Sequence, residues 1–203
     1  MTATKTRFLR GEQCFLRPVE ESDIAVLAEW MNDPEVTRLM FSGQVPQSIG
    51  QVRSVVDGIL GNSANVVFMV CGPANQLPIG FAGLYDIHPR SHRAEFRIII
   101  GEKKSWGRGV GTEVTRLLTF YGFDRLNLHR IWLGFTAENR AARGAYTSAG
   151  YHEEGVLKDD IYRNSRYYDT VRMAILRERY YKQYYRKDMI EFGIKPSTKR
   201  RKR

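Results

Sequence analysis

With 203 residues, 42% of them hydrophobic and 12% aromatic, the chain is long enough for one packed domain and too apolar for a disordered one. No run approaches the ~20 apolar residues of a membrane span, no apolar signal core precedes Gly11, and two cysteines are too few for a disulfide framework or a cysteine-built zinc site, so the expected setting is cytoplasmic. The net charge is +10, but six basic and no acidic side chains fall between Lys195 and Arg203, leaving the rest at +4, which suits an anionic small molecule and makes no strong case for a nucleic acid or a membrane.

Glu12 to Val19 reads as a first strand closed by Pro18. Ser22 and Asp23 can cap a helix carrying Ile24, Leu27, Trp30 and Met31 at helical spacing, which Asn32-Asp33-Pro34 ends while opening a short second one. After a loop from Phe41 to Pro46, Ser48 begins a helix with Val52, Val55, Val56 and Ile59 on one face, stopped by Gly61-Asn62. Three strands follow, Asn65 to Cys71, Pro78 to Asp86 and Arg93 to Ile100, joined by turns as an antiparallel meander. Thr112 to Phe123 is a helix, Arg130 to Phe135 a strand, Glu138 to Ala149 a helix, and Tyr151 to Asp160 and Tyr168 to Leu176 a final pair of strands. The order β-α-α-β-β-β-α-β-α-β-β is α/β, with a mixed, mostly antiparallel sheet flanked by helices. Residues 12–177 are expected to form the domain and 178–194 a helix whose Tyr180, Tyr181, Tyr184 and Tyr185 share one stripe. That stripe packs on the domain or on a neighbouring subunit, which admits a homo-oligomer, or offers a platform for bases. Residues 195–203 read as a disordered basic tail or a nucleic-acid or membrane arm.

The stretch from Arg93 to Thr112 carries the chemistry. Ile98, Ile99 and Ile100 form the β-branched run of a buried strand, and Trp106-Gly107-Arg108-Gly109-Val110-Gly111-Thr112 is a glycine-rich turn that opens a helix. Backbone N–H groups there can close around an anion, beside Lys103, Lys104 and Arg108. A nucleotide P-loop is excluded because no lysine stands in its place. A dinucleotide fingerprint is excluded because the glycine spacing differs and the next strand ends Gly134-Phe135-Thr136 without an acid. The remaining pattern is the acyl-CoA pyrophosphate loop, with Trp106 in the place usually held by glutamine or arginine.

Together with Asn139-Arg140-Ala141-Ala142-Arg143-Gly144-Ala145-Tyr146 and Gly150-Tyr151-His152-Glu153-Glu154-Gly155, this loop resembles the GCN5-related N-acetyltransferases (GNAT), from about Phe15 to Leu176. The nearest branches by resemblance are the spermidine/spermine and ribosomal-protein N-acetyltransferases. The resemblance implies acetyl-CoA as co-substrate, its pyrophosphate held by the amides of Trp106 to Gly111 and its pantetheine arm running beside Ile98, Ile99 and Ile100. A backbone N–H near Ile99 is then expected to meet the thioester oxygen. Asn139 is expected to bind pantetheine, Arg143 to reach the phosphate end, and Tyr146 to protonate the departing thiolate. The purely structural alternatives are a helix-end residue for Asn139 and a core tyrosine for Tyr146.

Glu95 is the first choice as general base, with cleft-wall residue as its bland alternative. His88 and His92 are the other bases considered, and no metal site is expected from them. The acceptor stays open between a polyamine, a protein N-terminus and an amino sugar, free or nucleotide-linked. A polyamine needs a carboxylate-lined pocket, which Glu20, Glu21, Asp23, Asp33 and Glu35 can supply unless helix capping uses them. The reading from another class is a non-catalytic CoA-binding or RNA-associated module that uses the basic tail.

Overall fold

The structure is a computed structural model that describes residues 6–74 and 76–193; the predicted basic tail, 195–203, lies outside them. The strands are β1 (Leu9–Arg10), β2 (Phe15–Arg17), β3 (Val66–Cys71), β4 (Pro78–His88), β5 (Arg93–Ile100), β6 (Arg130–Thr136), β7 (His152–Arg163) and β8 (Arg166–Leu176). They form one sheet in the order β1-β2-β3-β4-β5-β6-β8-β7, antiparallel throughout except between β5 and β6. The expected mixed, mostly antiparallel α/β architecture is the one observed. Helices α1 (Ile24–Asn32), α2 (Pro34–Thr37) and α3 (Ile49–Gly61) join β2 to β3, and α4 (Val110–Asp124) and α5 (Arg140–Ser148) flank β6 in sequence.

Alternation along each strand divides the core between the two faces. Leu16, Phe68, Leu84, Phe96 and Leu133 pack with Val114, Leu117 and Leu118 of α4 and with Tyr146 of α5. On the opposite face Phe15, Met69 and Cys71 pack with Ile24 and Leu27 of α1 and Val52 and Val56 of α3. Below, these are called the α4 face and the α1 face.

Two elements differ from expectation. The strand expected over Glu12 to Val19 is shortened to Phe15–Arg17, and an additional strand, Leu9–Arg10, precedes it, because the chain turns at Gly11, whose N–H donates to Cys14 O at 2.9 Å. The turn is held from a distance: the buried carboxylate of Glu113 accepts the N–H groups of Glu12 (2.7 Å), Gln13 (3.0 Å) and Cys14 (2.9 Å). The C-terminal helix is broken at Tyr184 into α6 (Arg177–Gln183) and α7 (Tyr185–Glu191). The break turns Asp188 back so that it accepts from Tyr180 Oη at 2.6 Å and, with Glu191, grips Arg116 of α4. The tyrosines pack on their own domain: Tyr180 is buried, and Tyr185 stacks on Tyr181 and on Phe120 of α4 at 4.3 and 5.6 Å.

Candidate active site

The site starts where β5 and β6 part. Their parallel pairing holds at Arg93–Arg130, Ala94–Ile131 and Glu95–Trp132 and goes no further. On their outer edges β5 stays paired with β4 up to Ile100, and β6 with β8 up to Thr136. The two strands therefore open into a V whose inner edges expose unpaired backbone groups. Unpaired strand edges bind extended chains through main-chain hydrogen bonds.

The register decides which groups line the V. Gly101 N–H donates to Ile79 O at 3.0 Å, and counting along the ladder makes Phe81–Ile99 a hydrogen-bonded pair of the same kind. Ile99 therefore gives its N–H and C=O to β4. The N–H expected near Ile99 is thus narrowed to its neighbours: the inward groups belong to Ile98 and Ile100. One of them already has a partner, since Ile100 O accepts from Trp106 Nε1 at 2.7 Å. This bond pins the glycine turn to the end of β5, a structural use for a tryptophan at position 106.

That turn follows a 3-10 turn at Lys103–Ser105 and leads directly into α4. Gly109, at φ +83°, is the residue before the helix and has no side chain to cap it. The first-turn N–H groups of Val110, Gly111 and Thr112 are thus left pointing outward, with the positive end of a 15-residue helix behind them. A β-carbon at Gly109 would meet strain from φ and the Gln13 side chain at 3.1 Å, so Gln13 stands at the cradle too. Gly107, also at positive φ, and Arg108 are exposed, and Arg108 has no carboxylate partner among the described residues. Lys103, by contrast, is turned away: it bridges Asp33 (3.0 Å) and Glu35 (2.9 Å) at the start of α2.

Tyr146 closes the V from the α4 face. Its ring lies 6.1 Å from Phe96 on β5 and 5.5 Å from Phe135 on β6, so it sits in the crotch between the two strands. Burial raises its pKa and holds the phenol protonated. Asn139 caps α5, its Oδ1 accepting from Ala142 N at 3.0 Å, which leaves the amide NH2 to donate elsewhere. The ordinary cap and a ligand contact are compatible. Arg143 is ion-paired with Glu153 of β7 and lies 5.6 Å from the Phe135 ring, so its guanidinium is committed there rather than to the glycine turn.

Glu95 is on the other side of the sheet, opposite Tyr146. It is 8% exposed, and its Oε2 accepts from Arg97 at 2.5 Å. Arg97 also reaches Asp86 at 3.4 Å and lies over the Tyr85 ring. The acid and base expected from sequence thus flank the V from its two faces. His88 accepts from Ser91 N at 3.0 Å through Nδ1, within the connecting loop.

The carboxylates considered for a polyamine pocket are engaged. Asp23 is buried against Arg17, Glu21 pairs with Arg53, Asp33 and Glu35 hold Lys103, and Glu20 completes a capping box with Asp23. Sequence reading missed Arg163, which donates to Thr37 O (2.6 Å), Met40 O and Ser42 O (3.1 Å) and fixes the loop after α2. That loop carries Phe41 over Gly134, at the open part of β6. A cavity of about 570 Å³ lies between this loop and the β7–β8 turn.

Comparison with known proteins agrees with this architecture. The acetyltransferase (GNAT) domain model matches residues 13–152, and the chain belongs to that family. It is a GNAT N-acetyltransferase, and acetyl-CoA is the co-substrate of the family. A spermidine N(1)-acetyltransferase of Vibrio cholerae is 30% identical over 170 residues, 84% of this chain and 96% of that protein. A putative ribosomal N-acetyltransferase of Bacillus subtilis is 24% identical over 179 residues, 82% of this chain and 93% of that protein. Among solved structures, spermidine N-acetyltransferase from Vibrio cholerae in complex with CoA and spermine superposes with a TM-score of 0.76 at 30% identity, covering 83% of this chain and 98% of that one.

Proposed function

We propose that this protein transfers the acetyl group of acetyl-CoA to a primary amine by direct attack on the thioester. The observation that carries the reading is the V between β5 and β6, with an uncapped helix N-terminus at its mouth and a protonated tyrosine in its crotch. The amides of Val110, Gly111 and Thr112 bind the pyrophosphate, assisted by Arg108. The inner edge of β5 binds the pantetheine arm as an added strand, with the Asn139 amide as a further donor.

In the crotch, the Ile98 N–H stabilises the oxygen of the thioester carbonyl as it gains charge. The amine nitrogen approaches from the α1 face, where Arg97 holds one oxygen of Glu95 and leaves the other to accept an amine hydrogen. The new C–N bond forms, the C–S bond breaks, and the sulfur takes the Tyr146 proton. The amine proton leaves through Glu95. Acid and base on opposite faces keep the leaving thiolate and the incoming amine apart.

The test is thiol release from acetyl-CoA by the full chain across a panel of primary amines, with the acetylated product identified by mass. Amine-dependent release with a singly acetylated product is expected. Acetyl-CoA binding without transfer to any amine in a broad panel contradicts the reading.

A further inference from the structure

We propose that the acceptor is an amine that also carries a carboxylate or phosphate, and that Arg172 and Arg93 bind this anionic group in the cavity beside Glu95. The proposal rests on the acetyl-transfer reading above and adds the charge class of the acceptor. The cavity, about 500 Å³, is on the α1 face and is lined by Arg93, Arg130, Trp132, Arg172, Asp86 and Glu154, with His88 and Met173 completing it. It adjoins the crotch of the V, because Trp132 is the cross-strand partner of Glu95 in the last parallel pair.

The charges there do not balance. Glu154 is held by both terminal nitrogens of Arg130, and Asp86 and Glu95 share Arg97. The Arg172 guanidinium carbon lies over the Trp132 ring, 4.1 Å from its centroid, which orders the group without using its N–H donors. Neither Arg172 nor Arg93 has a hydrogen-bonded or ionic partner among the described residues. An ordered guanidinium with free donors facing a cavity is a receptor for a carboxylate or phosphate, through two parallel N–H···O bonds. Both carboxylates that line the cavity, Asp86 and Glu154, are already paired with arginines, as is Glu95 beside it.

The spacing suits one small molecule. Arg93 is two residues, roughly 7 Å, along β5 from Glu95; Arg172, which pairs with Gly134, is two strands across the sheet and two residues further along, roughly 12 Å between Cα atoms, and its side chain returns over Trp132. An acceptor whose amine and anion are separated by a sugar ring or a short peptide spans that distance. Polyamine recognition would leave both guanidiniums facing like charge.

Matched pairs of amines test this, each pair differing only in the anion: glucosamine against glucosamine 6-phosphate, and glycylglycine amide against glycylglycine. The expected result is that kcat/KM favours the anionic member of at least one pair about tenfold or more. The pair that responds distinguishes phosphate from carboxylate. Arg172→Gln and Arg93→Gln, both checked for unchanged Tm, are expected to shrink that ratio about tenfold, with the change in KM rather than kcat. Equal or better use of the neutral members, or of spermidine, with ratios indifferent to either substitution, overturns the charge assignment and leaves acetyl transfer standing. Failure to bind acetyl-CoA overturns the acetyl-transfer reading itself.

Discussion

Tyr146→Phe is expected to lower kcat at least tenfold, toward the ~10²–10⁴ typical of a lost general acid, while the dissociation constant for acetyl-CoA stays within about twofold. The split follows from geometry. The ring is packed between Phe96 and Phe135, and phenylalanine keeps those contacts, so binding and folding survive. Only the hydroxyl is lost, and with it the proton for the departing sulfur. The pH dependence has a definite sign. Burial raises the Tyr146 pKa above that of free tyrosine, so the proton-donating form persists beyond pH ~10, and kcat has no falling alkaline limb from this residue below that pH. A Tyr146→Phe enzyme with wild-type kcat removes the role, and a loss of acetyl-CoA binding with unchanged kcat moves it from catalysis to packing.

Asp23→Ala is expected to cost about 3–5 kcal/mol, the usual consequence of leaving a buried charge without its partner. Arg17 is wholly buried, with its side chain 0% exposed and that of Asp23 2% exposed, and the two are joined by a pair of 2.7 Å hydrogen bonds. Asp23 also accepts from Glu20 N at 2.8 Å, which fixes the turn into α1. For a domain of this size the loss corresponds to a fall in Tm on the order of 10 °C. The paired replacement Arg17→Met with Asp23→Leu is expected to recover most of it, because no charge then remains inside. Chemical denaturation of the two variants beside the wild-type protein checks both statements. A single mutant within about 1 kcal/mol of wild type, or a double mutant as unstable as the single, contradicts the account of this pair.

Much of this site is legible in the amino-acid sequence. The run Arg93 to Ile100 is a strand with the bounds its β-branched residues suggest, and the glycine-rich turn does open an uncapped helix, with Gly107 and Gly109 before it and Gly111 in its first turn. The spacing from Asn139 to Tyr146 does put a cap and a cleft tyrosine on one helix. What was not legible depends on partners far along the chain. Which isoleucine turns its N–H inward is set by pairing with β4, and a one-residue change of register would reverse it. The turn that shortens the first strand and places another before it follows from Glu113, about a hundred residues away. Its carboxylate is at the start of α4, where an acid is explained by the helix dipole alone, so nothing local marks it as the anchor of another turn. Arg143 was assigned by its distance from Asn139 on one helix, but Glu153 on β7 claims it. The acidic residues of the helical arm looked available because their cations, Arg17, Arg53 and Lys103, come from other segments of the chain.

Amide hydrogen exchange at Ile98, Ile99 and Ile100, followed by NMR with and without acetyl-CoA, tests most directly whether the parted strands hold the cofactor arm. In the free protein Ile99 should already be protected by its bond to β4, while Ile98 and Ile100 exchange faster. Saturating acetyl-CoA is expected to protect Ile98 and Ile100 and leave Ile99 unchanged. Protection confined to other parts of the chain, with exchange at Ile98 and Ile100 unaltered, would contradict a binding site on the inner edge of β5.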